Sequence, residues 1–344
     1  MKSILLTSTA LVAFAGAAAA DGHTSISHAL SGKLGYNNGD VTSSNGFYWE
    51  GNLKTTATAT LDNGLTAGAY FEVTVADDNA AAADDGGIAL KSSDFVLSLT
   101  SETASLYFGD TGMAAQKHWA SAGDMESDGF STGSNAAVLR GDVSMGGVDA
   151  SVSVVAGDAA GDTEQLSFGA AASFGAVSLA AAYQAEASAG YVNGNGDFNN
   201  AEIFGVSASG AFAGATVTLA YASNQTADTT STGIKVSYPF GPVTATGYYV
   251  MEEGGANEDP NMGIKVAYAS GPLSASIDVQ DDQGTSKWVA EGSYDVGNGL
   301  TVLAGAMNES EADDAAYYIA GEYDLGGGAS VLAAYASDES NDQG

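Results

Sequence analysis

The chain has 344 residues, with 42 Asp and Glu against 9 Lys and Arg, a formal charge of −33, no Cys, 4 Pro and 45% hydrophobic residues. So acidic a balance excludes a nucleic-acid binder, because phosphate contacts need basic patches, and the lack of cysteine excludes a disulfide framework and thiolate chemistry. Acidity also suggests disorder, but apolar residues laid out in strict alternation do not behave as a disordered tract, so the acids are expected on wet surfaces.

Residues 1–20 read as a secretory signal peptide. Lys2 supplies the positive start, residues 4–15 the apolar core, and Ala18, Ala19 and Ala20 a small-residue cleavage site before Asp21. The alternative, a retained anchor, has too short an apolar core. Residues 21–344 then form one β-barrel domain, since no linker or composition shift marks a second. No later stretch approaches 18 uninterrupted apolar residues, so no transmembrane helix is expected. Export without helices leaves the periplasm, the outer membrane or the outside.

The clearest element is the hairpin at 47–75. Trp49, Gly51, Leu53, Ala57, Ala59 and Leu61 share one parity, and Glu50, Asn52, Lys54, Thr56, Thr58 and Thr60 the other. After Asp62, Asn63 and Gly64 the pattern resumes with Leu65, Ala67, Ala69, Phe71, Val73 and Val75. Asn-Gly between alternating runs is the strongest short-range hairpin signal, and period two cannot be held by a helix. One face meets lipid and the other a wet lumen, which is how a transmembrane barrel reads in sequence.

Continued along the chain, the alternation predicts strands at 27–36, 47–61, 65–76, 93–100, 104–109, 136–145, 148–156, 164–174, 177–186, 201–212, 215–223, 230–239, 243–252, 261–269, 273–280, 286–294, 300–308, 315–323 and 329–336. These are nineteen strands, so the fold class is all-β, a transmembrane antiparallel barrel of 16 to 20 strands. Tight turns such as Gly146-Gly147, Ala213-Gly214, Gly241-Pro242 and Asn298-Gly299 alternate with longer acidic loops such as 77–90, 187–200 and 253–259. An outer-membrane barrel has short turns on its periplasmic side and long loops outside. Phe174, Phe212, Phe240, Tyr268, Tyr294 and Tyr323 precede short turns, and Tyr183, Tyr221, Tyr249 and Tyr335 precede long loops, as two interfacial girdles would. The alternative is a soluble β-sandwich with core aromatics, whose inward faces would be richer in Leu, Ile and Val.

One connection breaks the pattern. Residues 110–134 form a segment of about 25 residues carrying Asp110, Asp124, Glu126 and Asp128; structureless loops of that length are usually functional. In a wide barrel its natural place is inside, narrowing the lumen; the alternative is an exposed surface loop. Glu252, Glu253 and Glu258 are read as a distal acidic loop at the mouth.

Three segments carry a specific resemblance: LSGKLGY at 30–36, LYFGD at 106–110 leading into the long connection, and YDLGGGASV at 323–331. With them the chain resembles a Gram-negative general porin, most similar to the Rhodobacter-type porins of alphaproteobacteria. The resemblance implies a homotrimer in the outer membrane, each barrel a passive channel for small hydrophilic solutes and ions, with the third loop as constriction and its acids facing basic residues on the wall. Parity points Lys33, Lys54 and Arg140 into the lumen, on the first, second and sixth strands that match the family's wall cluster, sparing each the ~2 to 4 kcal/mol of a lipid-facing charge. Lys235, Lys265 and Lys287 read as further lumen lining. The family usually has sixteen strands and ends in an aromatic residue on its closing strand. Here nineteen are read, and because bacterial barrels have even strand numbers a closing strand is expected after residue 344.

Enzyme chemistry is not expected. His23, His28 and His118 have no metal-ligand spacing, and Gly194 and Gly196 lie in a loop with no following helix, which defeats a dinucleotide reading. No cofactor is required. Acidic clusters at Asp77, Asp78, Asp84 and Asp85, at Glu258 and Asp259, and at Asp313 and Asp314 could bind Ca2+, but none has EF-hand spacing and solvated loops are the simpler reading. A channel, cation-selective because the fixed charge is negative, is the leading function. A non-conducting outer-membrane adhesin or envelope scaffold is the alternative, although nineteen strands enclose more space than side chains fill. A secreted Ca2+-binding matrix protein would need Gly-Asp nonapeptide repeats, which the sequence lacks.

Overall fold

The computed structural model describes residues 4–6, 16–20, 24–38, 46–77, 88–133, 137–156, 163–187, 198–308 and 315–337. The acidic clusters at Asp78, Asp84 and Asp85 and at Asp313 and Asp314, the loop with Gly194 and Gly196, and the C-terminal segment 338–344 lie outside the described residues, as does most of the expected signal peptide.

Two short strands, β1 (Ile4–Leu6) and β2 (Gly16–Ala20), precede nineteen longer ones. These are β3 (Thr24–Asn38), β4 (Gly46–Thr60), β5 (Thr66–Asp77), β6 (Ile88–Thr100), β7 (Ala104–Gly109), β8 (Val138–Met145), β9 (Val148–Ala156), β10 (Thr163–Phe174), β11 (Val177–Gln184) and β12 (Ile203–Phe212). They continue with β13 (Ala215–Asn224), β14 (Thr229–Phe240), β15 (Val243–Glu253), β16 (Asn261–Ser270), β17 (Leu273–Asp282), β18 (Thr285–Gly297), β19 (Leu300–Asn308), β20 (Ala316–Gly326) and β21 (Ala329–Ser337). All nineteen coincide with the runs of alternation, with ends shifted by a few residues. From β3 to β21 each strand pairs antiparallel with the next. β1 pairs with both β3 and β21, and β2 pairs with β3.

The two faces of this sheet are inverted relative to a soluble protein. Leu30, Leu53, Phe71, Leu97, Phe108, Leu139, Phe168, Leu219 and Ile264 are exposed on one face, while Ser151, Ser153, Ser167, Gln184, Ser207 and Thr218 are buried on the other. A β-sandwich would bury the first set, so that alternative falls. Period-two alternation puts apolar residues where hydrocarbon replaces water and polar ones around a wet interior. Phe174, Phe212, Phe240, Tyr294 and Tyr323 stand exposed beside the short turns, and Tyr221 and Tyr249 at the opposite strand ends. Among the described residues no helix is long and apolar enough to cross a membrane.

Turn chemistry fixes the register. In the two-residue turns Ala213-Gly214 and Asn298-Gly299 both residues have positive φ, at 50° and 86° and at 54° and 85°. That is the primed-turn geometry whose twist suits antiparallel strands. Asn tolerates it, whereas Ala213 bears a steric strain of about 1 kcal/mol. Replacing Ala213 by Asn is therefore expected to stabilise the protein by about 1 kcal/mol, read as a higher unfolding midpoint in detergent. Ala213→Val lowers it, and neither changes conductance.

Candidate functional site

The long connection leaves β7 through a backbone that only glycine adopts. Gly109 has φ +122°, and a Cβ there would lie 2.1 Å from the Phe95 carbonyl oxygen. The next residue locks the exit: the Asp110 amide donates to Phe95 O at 2.7 Å, and the Phe95 amide donates to the Asp110 carboxylate at 2.8 Å. Arg140, on the returning strand, donates to Gly112 O at 2.6 Å and to Asp142 at 3.0 Å, with its guanidinium 5.0 Å from the Tyr107 ring centroid. Both roots of the loop are thus fixed to the polar face of the sheet.

Beyond the root the segment is not structureless. It contains a five-residue helix, α1 (Ala114–His118), and a 3-10 turn at Glu126–Asp128. Both lie against the polar face: α1 packs on β9, β10 and β11, and the 3-10 turn on β12, β13 and β14. The seat is a transverse row of register partners running from Asp142 through Ser151, Gly169, Ala182, Gly205, Ala222 and Ser231 to Glu252. Small side chains make this row a groove. A Cβ on Gly169 would meet Ala114 O at 2.2 Å, and one on Gly205 the Trp119 ring at 2.4 Å.

Polar wall side chains take up the backbone of the loop. Ser153 and Ser167 accept the amides of Ala114 and Ala115 at 2.9 and 2.7 Å. Ser231 accepts that of Ser127 at 2.9 Å, and Gln184 that of Ser131 at 2.8 Å. Lys235 donates to Ser121 O at 2.9 Å, and Asn261 to Asp124 O at 3.1 Å. Asn199, from the next long connection, donates to Gly129 O at 2.9 Å. Each bond satisfies a loop group that would otherwise be shielded from water unpaired.

The apolar core lies here too. One cluster joins Ala115 and Phe130 to Ala182, Ala201 and Ile203; a second joins Ala122 and Met125 to Ala220, Ala222 and Val250. Trp119 packs against both, and its indole N–H donates to the Asp128 carboxylate at 2.8 Å. A third cluster seats Met113 on Val138 and Val155.

The acids expected at the constriction divide by environment. Asp124 and Glu126 are exposed, whereas Asp110 and Asp128 are half-buried and engaged with Phe95 and Trp119. Desolvation raises the carboxyl of Asp128 to about 6, against the help of the Trp119 bond, with Asp124 and Glu126 adding repulsion. Desolvation also raises Asp124 and Glu126, and Asp282 pushes both in the same direction. The ligand oxygens of Asp124, Glu126 and Asp282 lie within 4.8 Å of one another, a spacing a cation could bridge and that exposed acids often show without one. Glu258, in one of the acidic clusters read as solvated loops, accepts the Gly254 amide at 3.0 Å within its own turn.

The basic residues have partners on the wall itself. Lys33 and Lys91 both reach Glu50, at 3.2 and 2.6 Å, Lys54 reaches Glu72 at 2.9 Å, and Asp142 takes Arg140 and also Lys117, the latter at 2.6 Å. Lys265 lies 3.6 Å from Asp278, and Lys287 pairs with Asp282 beside the exposed acids. One residue was misjudged from sequence. Glu252, the last residue but one of β15, is buried, and its carboxylate accepts the Glu126 amide at 3.1 Å and the Ser231 hydroxyl, so it belongs to the seat of the loop and not to a distal mouth loop. His118, set aside for lack of metal spacing, is buried in α1, 2.8 Å from the Ser151 hydroxyl, and desolvation lowers its pKa.

Comparison with known proteins agrees with this geometry. The profile of the Gram-negative porin family matches residues 7–343. The chain belongs to that family. The solved structures similar to this porin include a double mutant of the Rhodopseudomonas blastica porin, at 19% identity and a TM-score of 0.50, covering 91% of this chain and 100% of that one. A triple mutant of the same protein matches at 20% identity and a TM-score of 0.51, with the same coverage. At that identity the likeness establishes the fold. No curated protein matches the chain by sequence.

Gly205→Val is expected to leave the porin assembled, since the clash falls on Trp119 and not on the ladder, but to push the loop into the lumen. Single-channel recording then shows a lower conductance, while Gly321→Val, where an added Cβ meets nothing within 4 Å, leaves it unchanged. Asp128 gives a pH dependence of defined sign. Its carboxyl sits at about 6 in the folded protein, against about 3.9 unfolded, so the folded state holds the extra proton between these values. Loop packing is then most stable below about pH 4 and loses stability as pH rises through about 6. Trp fluorescence should show a step near that pH which Asp128→Asn abolishes.

Proposed function

We propose that this outer-membrane porin is a cation-selective diffusion channel for small hydrophilic solutes, with the segment between β7 and β8 as its constriction. The observation that carries the reading is the seat of that segment, bonded through its backbone to lumen-facing Ser153, Ser167, Gln184 and Ser231. A loop held along the inner wall takes cross-section from the channel and presents Asp124 and Glu126 to what remains. Opposed to them are the Lys33, Lys54 and Arg140 strands, where these cations with Lys91 and Lys117 are balanced by Glu50, Glu72, Asp94, Asp110 and Asp142. A balanced wall and an exposed acidic tip leave the narrow section net negative. Such a pore orders water across its section and favours polar solutes over apolar ones.

In this reading Asp110 and Asp128 hold the loop's root and tip while Asp124 and Glu126 act on permeating ions. Copies assemble as a homotrimer after export by the N-terminal leader, conduction needs no cofactor, and Ca2+ on the acidic loops is dispensable. Family and fold are those of a channel and not of an enzyme.

Within a Debye length of about 10 Å at 0.1 M salt, the exposed acids enrich cations and repel anions. Reversal potentials across a KCl gradient should show K+ preferred over Cl−, less so at 1 M. Asp124→Asn combined with Glu126→Gln weakens that preference strongly, whereas Glu253→Gln with Glu258→Gln acts weakly through the mouth. Equal effects from the two pairs, or anion preference at low salt, would contradict the assignment.

A further inference from the structure

We infer that Glu252 is a positioning residue for permeation: its buried carboxylate latches the tip of the constricting loop to β15 and so fixes where Asp124 and Glu126 stand in the channel. The inference rests on the loop being the constriction and adds the residue that sets its geometry.

A carboxylate at this place needs an explanation. Glu252 is 6% exposed, and the charged groups around it are mostly of its own sign. Glu126 and Asp128 of the loop act on it directly, and Asp124 and Asp282 of β17 act in turn on Glu126; the cations on this side are Lys235 on β14, which donates to Ser121 O, and Lys287 on β18, which pairs with Asp282. Burying a carboxylate among like charges is unfavourable unless its acceptors are filled by well-placed donors. Both oxygens are filled: one by the Glu126 amide at 3.1 Å, the other by the Ser231 hydroxyl. Ser231 also accepts the Ser127 amide at 2.9 Å, so two successive loop amides end on one Ser–Glu pair of the wall.

That pair is the end of the groove. The seven preceding positions of the transverse row are Asp142, small or hydroxylic residues, and the loop crosses them by van der Waals contact and single hydrogen bonds. At Glu252 the loop must turn back toward β8, and Glu126, whose side chain is exposed, has its amide tied to the wall. Fixing the amide of a residue fixes its Cα and the arc its side chain sweeps. Release of that amide leaves Asp124 and Glu126 on a tip held by the Ser127 bonds, the Asn261 bond to Asp124 O and the packing of Met125, with no polar tie at the Glu126 amide itself.

The test separates the acceptor from the charge. In planar bilayers Glu252→Gln keeps an acceptor of the same length without the charge, and Glu252→Ala removes both. The expected result is wild-type conductance and K+ over Cl− preference for Glu252→Gln. Glu252→Ala should show noisy openings and a preference that falls toward that of the Asp124→Asn, Glu126→Gln channel. Because the chain has no Cys, a tether can be added: Ser127→Cys with Thr229→Cys, whose hydroxyls lie 2.9 Å apart, should restore the selectivity of Glu252→Ala when oxidised and lose it when reduced. Glu252→Ala channels indistinguishable from wild type overturn the inference, and so do Glu252→Gln channels as altered as Glu252→Ala. Should Glu252→Ala fail to assemble, Ser231→Ala, which removes the hydroxyl orienting the carboxylate, is read instead against the same two outcomes. If neutralising Asp124 and Glu126 has no effect, the constriction reading fails; if that change acts and Glu252→Ala does not, only the latch fails.

Discussion

A backbone amide or carbonyl in hydrocarbon has no water to bond, so a spanning chain must pair every such group within itself. The continuous antiparallel ladder from β3 to β21 answers that constraint, and the rest of the molecule follows from it. Strands in a ladder have side chains on alternate faces, so a chain that meets lipid on one face and water on the other must be written with period two. The exposure of Leu30, Leu53 and Phe168 and the burial of Ser151, Ser167 and Gln184 are the two halves of that statement. The primed turns at Ala213-Gly214 and Asn298-Gly299 keep it in register, because a slip of one residue would turn every leucine to the lumen.

A ladder of this width leaves an interior that side chains cannot fill, and the interior is organised by one loop. The packing is that of a small globular core built inside a membrane protein, with Trp119 in contact with both of the larger clusters. Its partner surface is a row of glycine, alanine and serine across six strands, bounded by Asp142 and Glu252, where missing side chains make the groove, and the hydroxyls of Ser231 in the row and Ser167 beside it receive the loop's amides. Two interactions therefore act on different faces of the same strands: lipid selects the outer residues, and the loop selects the inner ones.

Charge follows the same division. Lys33, Lys54, Lys91, Lys117 and Arg140 pair with Glu50, Glu72 and Asp142, and Asp94 and Asp110 beside them bring that wall close to neutral. Acids at the loop tip gather with Asp282 and raise one another through shielding and repulsion. The loop that packs along the inner wall is thus also the one whose exposed acids, Asp124 and Glu126, gather at its tip.

How much of this was legible in the sequence depends on whether the signal is local. Each strand declares itself within ten residues through its own alternation and turn, so all nineteen strands and the alternation of short and long connections could be read directly. The length of the 110–134 segment likewise marked it before any fold was known. What the sequence by itself determined is therefore the ladder, its two faces and the existence of an exceptional loop. Only the tertiary structure decided what that loop touches. Gly169, Gly205 and Ala222 look like any small lumen residues until the register sets them in one row, and Glu252 looks like one of three mouth acids until Glu126, 126 positions away in sequence, donates to it. Side-chain parity names the face a residue points to. It carries no information about which distant residue arrives on that face, because that depends on how many strands separate the two and where the loop has room to lie.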